Sequence, residues 1–248
     1  MAGRFVVDSE RPNALVTGAS RGIGRAIAGA LAAEGYDLIL TCKNSIGELE
    51  NYAAALQEKY GCSVVAERVD MSSAEDVREL FEGITELDVL VNNAGVSHIG
   101  LLQDMTDEEW DEVLGTNLNS AFYTCRAAIP LMLKNHSGRI LNISSVWGNV
   151  GASLETAYSA SKGGLNAFTK ALAKELAPSS ISVNALACGV IDTDMNSSFS
   201  KEDMDQLKRE IPADRIGTPA EVAALAVQLL KAPLYMTGQI VTLDGGWT

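Results

Sequence analysis

Basic residues are scarce in this sequence. Its 248 residues include 19 Lys and Arg against 32 Asp and Glu, which gives a formal net charge of −13. Nucleic acids and anionic membrane surfaces are bound through clusters of positive charge. We therefore expect neither a nucleic-acid partner nor a membrane partner. An anionic ligand would have to be held by local features that act against the overall charge.

Cysteine and histidine are also rare. The four cysteines, Cys42, Cys62, Cys125 and Cys188, have no C-x-x-C spacing, and the chain has only two histidines. This composition does not provide a zinc-type ligand cluster, so we predict no metal site. Widely separated cysteines are typical of reduced, buried thiols, and they indicate a cytoplasmic protein.

Long apolar runs are missing as well. No run approaches the roughly 18 residues that a membrane-spanning helix requires. Residues 1–12 carry charges and lack an apolar stretch, so we expect an N-terminal extension that is neither a signal peptide nor an anchor. The 47% content of hydrophobic residues is enough to form a sizeable core and excludes a disordered chain.

Short apolar runs alternate with longer segments of helical period. The apolar runs are residues 14–16, 38–40, 64–65, 89–91, 140–143, 182–185 and 239–243. The helical segments are residues 22–34, 46–60, 74–84, 158–176 and 219–230. Runs that are apolar on both faces indicate parallel strands covered by helices on both sides. No Pro/Gly/Ser linker divides the chain, so we predict one α/β domain over residues 1–248, with a βα barrel as the alternative.

A glycine-rich turn separates the first strand from the first helix. Residues 17–24 read T-G-A-S-R-G-I-G, with glycines at 18, 22 and 24. Glycines at this point allow a sharp turn, and the N–H groups of the helix then face a pyrophosphate. Its position after the first strand favours a doubly wound, Rossmann-type sheet of about seven strands that binds a dinucleotide.

The whole pattern resembles the short-chain dehydrogenase/reductase family. The family signature T-G-x-x-x-G-x-G matches residues 17–24, N-N-A-G matches residues 92–95, and Y-x-x-x-K matches residues 158–162. Ser145 lies thirteen residues before Tyr158, and Asn117 stands where the family has an active-site asparagine. Residues 237–239 and 244–246 also look like the family. The nearest subfamily resemblance is to 3-oxoacyl-[acyl-carrier-protein] reductases.

The cofactor predicted from these residues is NADP(H). NAD-binding folds place an acid after the second strand, but this sequence has Cys42 at the aligned position, followed by Lys43. Lys43 and Arg21 offer cations to a 2′-phosphate. By resemblance, Asp70 bonds the adenine amino group. The full set of predicted cofactor-binding residues is Gly18, Ser20, Arg21, Gly22, Ile23, Gly24, Lys43, Asp70, Met71, Asn93, Ala94, Gly95, Tyr158, Lys162, Ile191 and Thr193.

The predicted catalytic residues are Asn117, Ser145, Tyr158 and Lys162. Tyr158 and Lys162 are four residues apart in a helical segment and therefore share one face. An adjacent ammonium favours phenolate, so we expect Lys162 to lower the pKa of Tyr158, which would act as the general acid. By resemblance, Ser145 orients the substrate carbonyl and Asn117 holds a water that links Lys162 to solvent.

The sequence also departs from the family. Cys188 replaces the usual proline after the sixth strand, which we expect to loosen that segment. Its thiol is a candidate for reactivity, but we favour an inert, buried cysteine. Two positions where carrier-protein-binding relatives often have arginine are Ser179 and His136, although Lys134 lies nearby. With the charge of −13, these differences weaken the prediction of an acyl carrier protein as partner.

The predicted function is NADPH-dependent reduction of a ketone, with a 3-oxoacyl thioester favoured. The alternatives are an NADP-dependent alcohol, sugar or steroid dehydrogenase and a catalytically silent NADP-binding regulator. Residues 195–211 are predicted to cover the substrate, and Val96, Trp147, Leu154 and Met195 are candidates for an apolar pocket or for the core. The resemblance also implies a homotetramer.

Overall fold

The computed structural model describes residues 11–197 and 199–248. The predicted N-terminal extension, residues 1–12, therefore lies outside the described residues except for Arg11 and Pro12. Within the described ranges, no helix is long and apolar enough to cross a membrane.

Seven parallel strands form one open sheet in the described part of the chain. They are β1 (Asn13–Val16), β2 (Asp37–Cys42), β3 (Val64–Arg68), β4 (Val89–Asn92), β5 (Gly138–Ser145), β6 (Ile181–Cys188) and β7 (Ile240–Leu243). Their order is β3-β2-β1-β4-β5-β6-β7. Every residue of β1, β2, β4 and β6 is buried, which explains why these runs are apolar on both faces. The predicted doubly wound sheet is confirmed, and a closed barrel is excluded.

Helices cover both faces of this sheet. The helices of the described residues are α1 (Gly22–Ala33), α2 (Ile46–Tyr60), α3 (Ala74–Glu82), α4 (Asp107–Leu114), α5 (Ser120–Lys134), α6 (Trp147–Val150), α7 (Thr156–Leu176), α8 (Lys201–Glu210) and α9 (Pro219–Lys231). The first core cluster packs α1, α2 and α9 against one face. The second packs α3, α5 and α7 against the other. Each of the five predicted helices is confirmed with small differences at its ends.

Residues 107–134 contain two helices that the sequence analysis did not identify. Helix α4 begins after Thr106, whose hydroxyl accepts a hydrogen bond from the Glu109 N–H, while the Glu109 carboxylate accepts from the Thr106 N–H. This capping box is visible in the sequence. Helix α5 contains Pro130, which normally argues against a helix interior, and packing on the sheet outweighs that local penalty.

Four buried polar side chains connect the centre of the sheet to α5 and α7. Asn92 Nδ2 donates to Asn142 Oδ1 at 2.9 Å, joining β4 to β5. Thr124 Oγ1 donates to Asn92 Oδ1 at 2.7 Å, and Asn142 Nδ2 donates to Thr169 Oγ1 at 2.8 Å. Because α7 carries Tyr158 and Lys162, this chain of hydrogen bonds fixes the helix that presents them to the end of β5.

Replacing Asn142 with alanine should destabilise the protein by about 2 kcal/mol or more, because it removes partners from buried Asn92 and Thr169. Urea unfolding of the variant measures this loss. Asn51→Ala, an exposed change on α2, is the matched control and should shift the free energy of unfolding by no more than about 0.5 kcal/mol. Equal stability of the two variants would contradict the role given to the buried hydrogen bonds.

Candidate functional site

A cavity of about 590 Å³ lies at the carboxyl edge of the sheet. Its walls come from the residues that follow β1, β2, β3 and β4 and from the ends of β5 and β6. The strand order reverses between β1 and β4, and ligands of open α/β sheets bind at such a switch point. The topology therefore collects segments that are far apart in the sequence around one cavity.

The cavity brings together nearly all of the predicted site residues. Its lining includes Gly18, Ser20, Arg21, Gly22, Ile23, Lys43, Asp70, Met71, Asn93, Ala94, Gly95, Ser145, Tyr158, Lys162, Ile191 and Thr193. Gly24 and Asn117 are not part of the lining. Both lie behind it, and each supports a lining segment.

The glycine turn has the backbone geometry that its sequence predicts. Gly18 has φ of 64° and Gly22 has φ of 55°, in the left-handed region where a side chain causes strain. The N-cap residue of α1 is Arg21, which makes no side-chain hydrogen bond to the first-turn N–H groups. The positive end of the α1 dipole thus faces the cavity without a side-chain cap.

Asn93 ties this turn to the end of β4. Its Nδ2 donates to the carbonyl oxygens of Thr17 and Gly18 at 2.9 and 3.0 Å. The Thr17 hydroxyl in turn accepts from the N–H groups of Asn93 and Ala94 at 2.9 and 3.0 Å. The Asn93 amide therefore supports the turn, although the residue also lines the cavity.

Gly24 makes this close approach possible. A Cβ built at this position would overlap Asn93 Nδ2 and the Gly18 carbonyl oxygen. Because one of these neighbours is backbone, the turn has little freedom to move away. The third glycine of the motif thus permits packing between α1 and the β1–β4 junction.

The two predicted phosphate-binding cations are paired with acids. Lys43 Nζ lies 2.7 Å from Asp70 Oδ2, and Arg21 Nη1 lies 3.6 Å from Asp194 Oδ2. The hydrogen bond to Asp70 raises the pKa of Lys43, while the pKa of Asp70 is lowered by its bonds to Lys43 and Ser72, which outweigh desolvation. Asp70 is therefore bonded to Lys43, an arrangement that the sequence analysis did not predict. Both pairs are solvent-accessible, and such pairs contribute little to stability.

Tyr158, Ser145 and Lys162 line the same cavity near the end of β5. Tyr158 and Lys162 occupy one buried face of α7, and Ser145, at the end of β5, lies close enough to the Tyr158 hydroxyl to lower its pKa. Lys162 Nζ donates to the carbonyl oxygen of Ile143 at 2.9 Å and lies 5.7 Å from the centre of the Tyr158 ring. The predicted sharing of one helix face is confirmed.

Burial controls the protonation of these groups. Desolvation raises the pKa of Tyr158 above its ordinary value of 10, and the bond with Ser145 lowers it only in part. Desolvation also lowers the pKa of Lys162 to about 8. Desolvation is the largest influence on the phenol, so its pKa is raised, and the lowering by Lys162 stays a prediction. Tyr158 is protonated at neutral pH.

Asn117 lies behind Gly95, in a π-helical turn formed by Gly115–Asn119. Its Oδ1 accepts from the Val96 N–H at 2.8 Å, while its Nδ2 donates to the Val96 carbonyl and to Ser161 Oγ at 2.9 and 3.0 Å. Both ends of the amide are therefore used to join the residues after β4 to α7.

Cys188 lines the cavity close to Lys162 and Tyr158. Burial raises the pKa of its thiol to about 12, so the thiol is unreactive at neutral pH. The Cys188 carbonyl accepts from the Val146 N–H, and the Gly189 N–H donates to the Leu243 carbonyl at 2.9 Å. These bonds connect the segment to the start of α6 and to β7, and the expected loosening stays a prediction.

Three of the four residues that were candidates for an apolar pocket line the cavity. Val96, Trp147 and Met195 line the cavity as the sequence suggested, but Leu154 does not and is instead exposed. Sequence reasoning missed Glu155 and Trp247, which both line it. The sequence could have identified Glu155, because it lies three residues before Tyr158 and residues three apart in a helix are neighbours.

Adding a methyl group at Gly24 should destabilise the protein by about 1–3 kcal/mol, the usual cost of overpacking, even though alanine is normally the better helix residue. Urea unfolding measures this effect. Gly47→Ala is the control, because Gly47 has no neighbour within 4 Å of its Cβ position. We expect Gly47→Ala to leave the free energy of unfolding unchanged or to increase it. A Gly24→Ala variant that behaved in the same way would contradict the close approach described above.

Comparisons with known proteins agree with this arrangement. The family model described as short chain dehydrogenase matches residues 12–204. Oxidoreductase YmfI of Bacillus subtilis, named as uncharacterized, is 40% identical over 239 residues, covering 94% of this chain and 98% of its own. The 3-oxoacyl-[acyl-carrier-protein] reductase FabG of Aquifex aeolicus is 41% identical over 238 residues, covering 94% of this chain and 95% of its own.

A solved structure extends the comparison to the fold. YwfH, described as an NADPH dependent reductase involved in bacilysin biosynthesis, superposes with a TM-score of 0.91 at 29% identity, covering 96% of this chain and 99% of its own. Sequence and structure lead to one conclusion: the chain belongs to the short-chain dehydrogenase/reductase family.

Proposed function

We propose that this protein is an NADPH-dependent carbonyl reductase that acts on a ketone. The observation that carries the proposal is that Tyr158, Ser145 and Lys162 line the same cavity as the glycine turn. A silent regulator would need the turn but not this second group. Its presence therefore favours an enzyme over a binding protein.

The residues fit a nicotinamide dinucleotide. The α1 N–H groups lack a side-chain cap, and Gly18 and Gly22 keep side chains away from the place that a pyrophosphate would take. The segments carrying Ile191 and Thr193 reach the same cavity and are proposed to hold the nicotinamide amide. When bound, the reduced cofactor supplies a hydride to the substrate carbonyl carbon.

The choice of NADPH rests on charge. Lys43 and Arg21 stand at the glycine-turn end of the cavity, and no acid occupies position 42. A 2′-phosphate can compete for Lys43 because the pair with Asp70 is half-exposed and weak. The NADPH dependence of the structural relative YwfH supports the same choice.

The protein's own residues then handle the proton. Ser145 donates a hydrogen bond to the substrate oxygen and orients the carbonyl. Tyr158, held protonated by burial, gives its proton to that oxygen as the carbonyl is reduced to an alcohol. Lys162, with a pKa of about 8, is mostly charged at neutral pH and stabilises the phenolate that forms. Asn117 positions α7 against the residues after β4.

The favoured substrate is a 3-oxoacyl thioester, which the curated FabG relatives support. The uncharged ketone end of such a substrate suits the wall formed by Val96, Trp147 and Met195. In this proposal residues 195–211 cover the substrate, and the enzyme is a cytoplasmic homotetramer. Position 198 of that segment lies outside the described residues.

A second candidate is an NADP-dependent alcohol, sugar or steroid dehydrogenase. The net charge of −13 favours it, because an acidic protein repels an acidic carrier protein. NADPH oxidation with acetoacetyl carrier protein, acetoacetyl coenzyme A, and a panel of free ketones and sugars separates the candidates. Failure with both thioesters alongside turnover of a free ketone would replace the favoured substrate by the second candidate.

Removing the Tyr158 hydroxyl should reduce kcat/KM by about 10²–10⁴-fold, the usual contribution of a general acid. Tyr158→Phe is assayed by NADPH oxidation with the best substrate, and NADPH binding is followed by its fluorescence. Binding should survive, since the phenyl ring remains. Tyr60→Phe, at the end of α2, removes a hydroxyl elsewhere and should retain activity. Substantial activity in Tyr158→Phe would refute the assignment.

Removing the Lys43 cation should lower kcat/KM for NADPH by about 10–100-fold, because charge-assisted bonds to phosphate are strong. Activity with NADH, which lacks the 2′-phosphate, should change much less. Lys134→Ala, an exposed change of equal charge at the end of α5, is the control for net charge. Equal losses with both coenzymes in Lys43→Ala, or wild-type preference for NADH, would contradict the proposal.

A further inference from the structure

The charges around the cavity are unevenly distributed. Among the described lining residues, the acids are Asp70, Glu112, Glu155 and Asp194, and the cations are Arg21, Lys43 and Lys162. Asp70 pairs with Lys43, Asp194 pairs with Arg21, and Glu112 acts electrostatically on Lys43. Three of the acids therefore belong to the glycine-turn end of the cavity. Glu155 is the remaining acid, and it belongs to the Tyr158 end.

Glu155 is close to the proposed proton donor. It is the N-cap residue of α7, three positions before Tyr158, and its charge acts on the Tyr158 hydroxyl. Its side chain does not cap the helix. Burial raises the pKa of its carboxyl, the neighbouring Trp147 indole lowers that pKa only in part, and the residue lines the cavity. Glu155 thus faces the substrate end although its place in the helix would allow a capping role.

Two indole rings share that end of the cavity. Trp147 and Trp247 both line it, with ring centres 4.8 Å apart and planes inclined by 58°. Aromatic faces attract cations, and an adjacent carboxylate adds to that attraction. The nearby cation, Lys162, also lines the cavity, but it is buried and its ammonium donates to the Ile143 carbonyl. Partial desolvation strengthens the field of the carboxylate at this position.

We propose that Glu155, together with the Trp147–Trp247 pair, is a specificity-determining element that selects ketones by charge. It favours substrates with a positively charged group next to the reacting carbonyl and rejects those with a carboxylate there. This inference rests on the proposed reductase function and deepens it. It is compatible with a thioester, whose reacting end is uncharged, and it excludes the corresponding free 3-oxoacid.

Three methyl ketones of similar size test the proposal. Acetoacetate, acetoacetamide and acetonyltrimethylammonium carry a negative, a neutral and a positive group at the same distance from the carbonyl. We expect kcat/KM to rise in that order in the wild-type enzyme. In Glu155→Gln, which keeps the shape of the side chain, the ratio of kcat/KM for the cation to that for the anion should fall by about tenfold or more.

Comparing one ratio between proteins cancels the intrinsic reactivities of the ketones. Glu175→Gln, an exposed change at the far end of the same helix, gives the same change in net charge and should keep the wild-type ratio. An unchanged ratio in Glu155→Gln, or a fall of the same size in Glu175→Gln, overturns the proposal.

A binding measurement separates this inference from the proposed function. Quenching of tryptophan fluorescence in the presence of NADP⁺ gives the Kd of each of the three ketones without turnover. In one outcome no ketone is reduced, but the cationic ketone binds most tightly and the anionic one most weakly, and Glu155→Gln reduces the ratio of these two Kd values by about tenfold. The charge selection then stands and the reductase proposal fails. If ketones are reduced but Glu155→Gln changes neither the kcat/KM ratio nor the Kd ratio of the cationic and anionic ketones, the reductase proposal stands and the charge selection fails.

Discussion

The contact between the glycine turn and the end of β4 is the constraint on which the site depends. Asn93 donates to two carbonyl oxygens of the turn, and Thr17 accepts from two N–H groups after β4. These four bonds cross the switch point of the sheet, where β1 and β4 lie side by side. They leave no room for a Cβ at Gly24, so the motif glycine is required by packing as well as by ligand approach.

The same junction organises the electrostatics of a strongly acidic protein. The positive end of α1 and the cations Arg21 and Lys43 are concentrated at the turn, where each cation is already close to an acid. A phosphate bound there would replace an existing weak ion pair rather than enter an empty positive field. Net charge therefore does not decide whether an anionic cofactor binds. What decides binding is whether Arg21 and Lys43 leave their acidic partners for the phosphate of the ligand. That change of partner favours the ligand with the greater negative charge.

The sequence predicted the sheet, the glycine turn and the meeting of Tyr158 with Lys162, because these depend on local periodicity and spacing. It did not predict the pairing of Lys43 with Asp70, since that contact joins the ends of two neighbouring strands and depends on strand register. Helix α5 was missed for a related reason: Pro130 lowers local helix propensity, and only packing on the sheet restores the helix. Spacing also did not reveal that the phenol of Tyr158 is buried, and burial is what raises its pKa.

Burial also explains how Tyr158 and Lys162 can divide their tasks. A phenol with a raised pKa stays protonated and is a proton donor, whereas an exposed phenol beside an ammonium would lose its proton more easily. Desolvation moves the pKa of Lys162 in the opposite direction, to about 8, so the two pKa values move further apart. Desolvation is therefore the main influence on the pKa of the phenol before it reacts, and the part of the lysine lies in the later step. The stabilising effect of Lys162 is greatest after proton transfer, when the phenolate it faces carries a full charge inside a desolvated site.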